Sequence, residues 1–419
     1  MSSSQEYDVI VIGGGASGMM AAGRASLCGH KVLLIEKNKE LGKKLSITGG
    51  GRCNILNAET DTKKLLSHYG DAAKFLHSPY AQHGMQDSWD FFATRGVPIV
   101  VEARKRAFPA SQQATDVTEC MRRYVNESHV ELKLGTRVQN ILTKDDRIEG
   151  IETNQGTYRA KHYILATGGA AHAQVGASDE GVSWLEVLGH TVHSPTPNIV
   201  PLKVMDEWVH ALSGTTLSFM KITFGANRTK AEGKFSRTGK ILFTHFGISG
   251  PLVLNAAHEV KKLLARGPVI AEIDMYPDTE IGTLRNRVME VFSLHKNKSL
   301  KNILKEFVPA GMTDAVAAQL TDELQNRRVH SVERDERHGL VDRLKAMPFT
   351  VTGTMGLDWA VISDGGIPLD EIDTKTMRSK KCANLSLTGD VLHINRPSGG
   401  YSLQLCWTTG WVAGSQVTF

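Results

Sequence analysis

The sequence predicts an α/β fold assembled from both ends of the chain, with a mainly-β domain and a small helical subdomain inserted between them. Three observations predict it. A strand, helix, strand pattern with a glycine-rich turn runs from Tyr7 to Glu36; short strand-like runs begin after Ser194; and a glycine-poor, charge-rich stretch of helical periodicity runs from Glu280 to Met347.

The elements follow in order. Tyr7 to Ile12 is a β-branched run, Met19 to Leu27 is small and apolar as a packed helix requires, and His30 to Glu36 is a second apolar run, so the start of the chain is a βαβ unit. Arg147 to Glu152 and Thr157 to Leu165 read as strands, the second ending in Ala166-Thr167-Gly168-Gly169. Residues 1–193 therefore form the first part of one α/β domain. Pro195, Pro197 and Pro201 mark a change of composition, after which Met220 to Phe224 and Lys240 to Phe243 read as strands of a mainly-β domain over residues 194–279. Leu284 to Phe292, Leu300 to Phe307 and Asp314 to Leu324 read as helices of a subdomain over residues 280–347. From Pro348 glycine turns and strand runs return, so residues 348–419 are expected to rejoin the first domain, with a final helix opening at Gly399.

Composition excludes several classes. A chain of 419 residues with 41% hydrophobic and 22% charged residues is neither disordered nor fibrous, and it is long enough for two or three domains. The five cysteines (Cys28, Cys53, Cys120, Cys382, Cys406) are widely spaced and form no CxxC pair, which fits a reducing compartment. No basic leader precedes the apolar run Val9 to Ile12, and that run is far too short to span a membrane. The expected location is the cytoplasm, with no membrane partner and no metal. The net charge of +5 permits an anionic partner without requiring one.

The chemistry starts at Gly13-Gly14-Gly15-Ala16-Ser17-Gly18, a GxGxxG motif between strand and helix. Gly13 allows the tight turn, Gly15 lets backbone approach a pyrophosphate, and Gly18 lets helix and strand pack closely. The phosphates then meet the helix N-terminus at Ala16 and Ser17. Glu36, with Lys37 beside it, ends the second strand where a carboxylate accepts bonds from a ribose diol. Thr167 and Gly168 at a strand end, Gly389-Asp390 late in the chain, and Gly399, Gly400 and Tyr401 opening the last helix resemble the secondary contacts of two-dinucleotide-type flavoproteins. By that resemblance the cofactor is FAD, Asp390 binds the ribityl chain, and the last helix points its N-terminus at the flavin pyrimidine, where reduction gathers negative charge. No second GxGxxG appears, so NADH or NADPH is expected to dock only transiently as reductant.

Three further strings narrow the family. LSITGGGRCN from Leu45 to Asn54, FTHFGISGP from Phe243 to Pro251 and NRPSGGY from Asn395 to Tyr401 resemble the BaiN/YhiN-like family of FAD-dependent oxidoreductases, essentially end to end. The resemblance implies a split Rossmann-like FAD domain carrying an inserted β domain and a helical subdomain. Members include a ribosomal-RNA dihydrouridine synthase, bile-acid-type reductases and aminoacetone oxidases, so the family implies the cofactor more firmly than the substrate. Ser363 replaces the threonine usual in the family's late Val-Thr-x-Gly-Gly-Val-like string, and no role is assigned to residues 351–367.

The implied activity is reduction of an activated C=C bond, foremost a uridine of naked or partly folded large-subunit ribosomal RNA, by hydride transfer to C6 and proton transfer to C5. Gly50 and Gly51 would bring their loop against the flavin ring. Cys53 is read in two ways: as a general acid whose pKa Arg52 lowers, or as a small packing residue. Arg52, Asn54 and Arg396 are candidates to bind substrate carbonyls, or, for the arginines, a phosphate; structural ion pairing is the competing reading for the arginines. His245 is either catalytic or structural. Between Lys203 and Lys240 seven cations (Lys203, Lys221, Arg228, Lys230, Lys234, Arg237, Lys240) face three acids, with Phe219, Phe224 and Phe235 interspersed. This reads either as an RNA-binding surface with stacking rings or as a solvated face. Two other functions stay open: a small-molecule flavin oxidoreductase acting on an enone or amine, and a non-catalytic RNA-binding flavoprotein.

Overall fold

A computed structural model describes residues 6–171, 180–225 and 233–419. They form two compact units, one made of the chain up to Pro197 together with Val361–Phe419, the other of Asn198–Ala360.

The first unit starts with β1 (Glu6–Ile12), α1 (Ala16–Leu27) and β2 (Val32–Ile35). It continues, after a helical stretch, with β3 (Glu131–Lys133), β4 (Val138–Lys144), β5 (Arg147–Thr153) and β6 (Gly156–Leu165). The sheet order is β3-β2-β1-β6-β5-β4. β1 pairs in parallel with β2 on one side and β6 on the other, and β3 continues the parallel run, whereas β4, β5 and β6 are antiparallel. The run Val9 to Ile12 is apolar throughout because a central parallel strand is covered on both faces. A small antiparallel sheet of Leu56–Asn57, Ile99–Glu102 and Arg106–Pro109 lies in the connection between β2 and β3.

The second unit is built on a closed barrel. Its strands are β7 (Leu202–Val204), β8 (Thr216–Gly225), β9 (Phe235–Thr244), β10 (Gly247–Ser249), β11 (Val269–Asp274) and β12 (Met347–Thr354), ordered β7-β10-β9-β8-β11-β12. β12 pairs with β7 and closes the ring, which leaves no sheet edge open. Inward-pointing Leu217, Ile222, Phe224, Ile241, Phe243, Ile273, Phe349 and Val351 are all buried. Between β10 and β11, α2 (Pro251–Leu264) buries Leu252, Val253, Ala256, Ala257, Val260 and Leu263 and turns its lysines outward.

The chain closes with β13 (Leu385–Leu387), which pairs in parallel with β6, and α3 (Tyr401–Ser415), which lies along α1. At this helix crossing a Cβ on Gly410 would stand 2.4 Å from the Ser17 carbonyl oxygen, and one on Gly414 2.5 Å from that of Ala21. The two backbones therefore touch directly.

Two expected boundaries shift. The return to the first unit comes at Val361 rather than Pro348, because residues 347–354 supply the last barrel strand, with Pro348 opposite Glu272. The helices between β11 and β12, among them Ile281–Leu294 and Arg334–Lys345, belong to the same compact unit as the barrel. Among the described residues no helix is long and apolar enough to cross a membrane, and no group of His, Cys, Asp and Glu is placed to hold a metal ion.

The α1–α3 contact predicts opposite outcomes for the same substitution at two helical glycines. Gly410→Ala should cost about 1–3 kcal/mol in urea unfolding, the usual penalty of overpacking. Gly339→Ala, at an exposed position of the helix Arg334–Lys345 with nothing within 4 Å of the new methyl, should stabilise by up to about 1 kcal/mol.

Candidate dinucleotide-binding site

The glycine motif sits at the C-terminal end of β1, and its three glycines do three different things. Gly13 has φ 105°, and a Cβ there would lie 2.5 Å from the Ala166 carbonyl oxygen. Gly15 is the N-cap of α1 and has no atom within 4 Å of its Cβ position, which leaves open space for a ligand. A Cβ on Gly18 would come 1.8 Å from the Gly13 carbonyl oxygen, so only glycine lets the helix pack this closely. α1 has no side-chain cap and no acid in its first turn, so the N–H groups near Ala16 and Ser17 keep their attraction for an anion.

Glu36 is buried at the end of β2 and braces this loop. One carboxylate oxygen accepts from the Gly14 N–H at 2.7 Å, and the other accepts from the backbone N–H and the side-chain amide of Asn38, each at 2.7 Å. A carboxylate has about four lone-pair sites, so acceptor capacity remains for a ribose diol. Lys37 pairs with Glu180 at 3.3 Å, and Arg137 shares that carboxylate at 2.8 Å.

The late segments come to the same end of the sheet. After β6, Thr167 packs against the Gly181 position, and Gly168 has φ 76°. Gly389 lies against Ser17, with its N–H donating to Thr409 Oγ1 at 3.0 Å. Asp390 follows and is ion-paired with Arg396. A Cβ on Gly400 would stand 2.2 Å from the Leu56 carbonyl carbon, so the start of α3 is pressed onto the small sheet. The Gly399 carbonyl accepts from Asn57 Nδ2 at 3.0 Å. α3 likewise has no side-chain cap and no acid in its first turn. Tyr401 is buried edge-on against Tyr69, whose hydroxyl donates to the Tyr401 carbonyl at 2.8 Å. Gly50 and Gly51 are exposed, with nothing within 4 Å of their Cβ positions.

The candidate catalytic side chains are placed as follows. Arg52 stacks on Phe108 at 4.2 Å, pairs with Glu102 and donates from Nε to Gln112 at 2.7 Å. Its charge is therefore met by Glu102 and does not activate Cys53. The Cys53 thiol is fully buried, and burial pushes its pKa up to about 12. Asn54, with its amide turned to satisfy both atoms, accepts from the Gly400 N–H at 3.0 Å and donates to the carbonyls of Leu56 and Ala107. Arg396 is buried, and besides Asp390 it donates to the Ile394 carbonyl at 2.6 Å and to Ser402 Oγ at 3.0 Å. Both arginines are ion-paired, Arg52 with Glu102 and Arg396 with Asp390. His245 lies in the second unit, exposed on the β9–β10 turn. Arg228 and Lys230 fall outside the described residues. Phe224 is buried inside the barrel with Phe235 stacked on it at 5.2 Å, and Phe219 is 54% exposed.

Two residues of the site escaped the sequence reading. Burial pulls the Lys44 pKa down while the Asp390 carboxylate opposes that shift, which puts this lysine near the same end of the cradle; the paired lysines ahead of the glycine loop were the available signal. Ser363 accepts from the Ala170 N–H at 3.0 Å and so holds the turn after β6, although residues 351–367 carried no assigned role. Elsewhere in the unit Ser379 Oγ bonds His190 Nε2 at 2.8 Å, and His190 Nδ1 bonds Glu371 at 2.7 Å. This order of groups is that of a hydrolytic triad. Ser379 Oγ is nevertheless buried and also accepts from the N–H groups of Lys381 and Cys382, so the chain of bonds pins a loop.

Fold and cradle together define a Rossmann-type dinucleotide-binding protein, and the open backbone over Gly15 with the residual acceptor capacity of Glu36 fits the adenosine diphosphate half of FAD. The chain belongs to the HI0933-like protein family, whose Rossmann-domain signature matches residues 7–416. It is 27% identical to a 3-dehydro-bile acid delta(4,6)-reductase of Clostridium scindens, over 96% of this chain and 97% of that one. It is also 27% identical to a ribosomal RNA dihydrouridine synthase of Escherichia coli, over 99% of this chain and 98% of that one. Among solved structures, a flavocytochrome c3 fumarate reductase in its open conformation superposes with a TM-score of 0.55 at 15% identity, covering 99% of this chain and 78% of that one. A 3-ketosteroid-delta4-(5alpha)-dehydrogenase from Rhodococcus jostii RHA1 gives a TM-score of 0.53 at 14% identity, covering 98% and 96%. These likenesses confirm the α/β Rossmann fold with its β insertion.

Two outcomes follow from the site. A maleimide at pH 8 should label exposed Cys28 first and Cys53 only after unfolding, as read by peptide mass spectrometry; labelling of both at one rate would restore an activated thiol. Arg396→Met leaves the partly buried Asp390 carboxylate without its ion partner and should cost about 1–3 kcal/mol in urea unfolding.

Proposed function

We propose that the chain is an FAD-dependent NAD(P)H oxidoreductase that reduces a uridine of large-subunit ribosomal RNA to dihydrouridine. The end-to-end correspondence with relatives of that name, over a chain whose dinucleotide cradle is intact, carries this reading. When bound, FAD supplies the hydride chemistry, with NADH or NADPH as the transient reductant.

The protein's own residues bind, orient and shield. The N-terminus of α1 and the space over Gly15 take the pyrophosphate, and Glu36 takes the adenosine ribose. Asp390, its orientation fixed by Arg396, takes the ribityl hydroxyls. The positive end of α3, at Gly400 and Tyr401, would hold the flavin pyrimidine and stabilise the negative charge of its reduced form. Cys53 packs and holds its own proton; we assign it no proton transfer. The uridine must leave its stack to be reduced, which favours naked or partly folded RNA.

The bile acid reductase, equally similar, favours a second reading in which the acceptor is a small enone. One experiment separates the two. Purified FAD-loaded protein is incubated with NADH or NADPH and unmodified large-subunit rRNA, and dihydrouridine is measured by mass spectrometry. A new dihydrouridine at one position, absent with boiled enzyme, is expected, and Cys53→Ala should retain most of it. A loss of about 100-fold or more, the size of a missing general acid, would return Cys53 to the chemistry. Rapid flavin bleaching with intact, unmodified RNA would sink the RNA reading and leave the enone.

A further inference from the structure

We infer that the outer face of the barrel strands β7, β10, β9 and β8 binds unpaired RNA, its phosphates met by Lys203, Lys221 and Lys240 and its bases stacked on Phe219 and Trp359. The inference rests on the reading of RNA as substrate and adds to it the surface that holds the strand.

Charge is the first observation. These four adjacent strands carry Lys203, Lys221, Arg237 and Lys240 and contain no Asp or Glu. The acids of the barrel strands, Glu272 and Asp274, are both on β11, and Asp274 is paired with Lys345 at 2.7 Å. Arg237 is engaged by Glu259. Among the described residues no carboxylate pairs with Lys203, Lys221 or Lys240. Lys221 stands opposite Asp274 across the β8–β11 pairing, but Lys345 takes that carboxylate, and Lys203 and Lys240 lie on strands that carry no acid, so these lysines remain available to polyanions.

Exposed rings on that face are the second observation. The β8–β9 pairing steps from Leu217–Ile241 to Met220–Gly239, so Ser218 and Phe219 together stand opposite Lys240. Phe219 adopts φ 61°, a conformation that phenylalanine rarely accepts, and its ring is 54% exposed. Core packing does not explain a strained backbone that holds an aromatic ring in water. Near the end of β7, Trp359 is 49% exposed and packs edge-on against Phe246 at 5.1 Å, with His245 on Phe246 at 5.0 Å. The Phe246 carbonyl accepts from the Val204 N–H at 3.1 Å, which sets these rings beside Lys203. Unpaired cations with flat exposed rings and the exposed hydroxyls of Thr216, Ser218 and Thr238 suit single-stranded nucleic acid, whose bases stack on any π face.

The test uses the holoenzyme and a fluorescein-labelled oligouridylate read by anisotropy, alongside dihydrouridine formation on rRNA. Trp359→Ala and Phe219→Ala should each weaken binding about tenfold, the loss expected for one stacked base, while Trp359→Phe binds like the unaltered protein. Replacing Lys203, Lys221 and Lys240 by Gln should lower the slope of log affinity against log salt by about 2. Flavin content and its reduction by NAD(P)H should stay unchanged in every variant. Dihydrouridine formation with oligouridylate binding unaffected by the alanine substitutions would overturn this inference alone and leave the rings to a protein partner. Binding that responds as described, without dihydrouridine formation, would keep the surface and overturn the substrate reading. Failure of the unaltered protein in both assays would overturn both.

Discussion

Two helices from opposite ends of the chain meet with no side chain between them at Gly410 and Gly414, and the cradle depends on that contact. α1 carries the glycine turn and α3 carries a second uncapped N-terminus, so the distance between their axes sets the separation of these two helix ends. Glycine at the crossing brings the backbones as close as they can come, and Ser17 is touched from both Gly389 and Gly410. A methyl at either place would separate the two halves of the site as well as loosen a helix pair.

Around this contact, buried polar groups are used for aim. Glu36 is held by Gly14 and Asn38, and Asp390 by Arg396, while Asn54 and Asn57 tie the start of α3 to the small sheet. Each places a backbone or carboxylate where a dinucleotide can be met. The Ser379–His190–Glu371 chain shows that such networks need not be catalytic: a hydroxyl that already accepts two backbone N–H bonds has no freedom to attack anything.

The glycine motif, Glu36, Gly389-Asp390 and the final helix were legible because each is a local pattern whose job is set by backbone geometry. The partners of Arg52, Arg396 and Asn54, namely Glu102, Gln112, Asp390 and Gly400, were not, because residue type alone does not show which distant side chains meet. The glycine turns and strand runs that resume after Pro348 suggest a boundary there, yet Pro348 lies within β12, the strand that closes the barrel. Of the three phenylalanines singled out, alternation turns Phe224 into the barrel, and a bulge turns Phe219 out; a bulge leaves no simple mark in the residue pattern.

The split of the first unit also shapes its birth on the ribosome. The barrel unit is one continuous stretch and can complete itself as soon as β12 emerges. β1 and α1, by contrast, are made well before the barrel and lack α3 until long after it. At about 5–20 residues per second, the apolar face of α1 waits on the order of tens of seconds for its partner. During that interval the nascent chain carries a finished domain and an unfinished one, and the unfinished one is where a chaperone would bind.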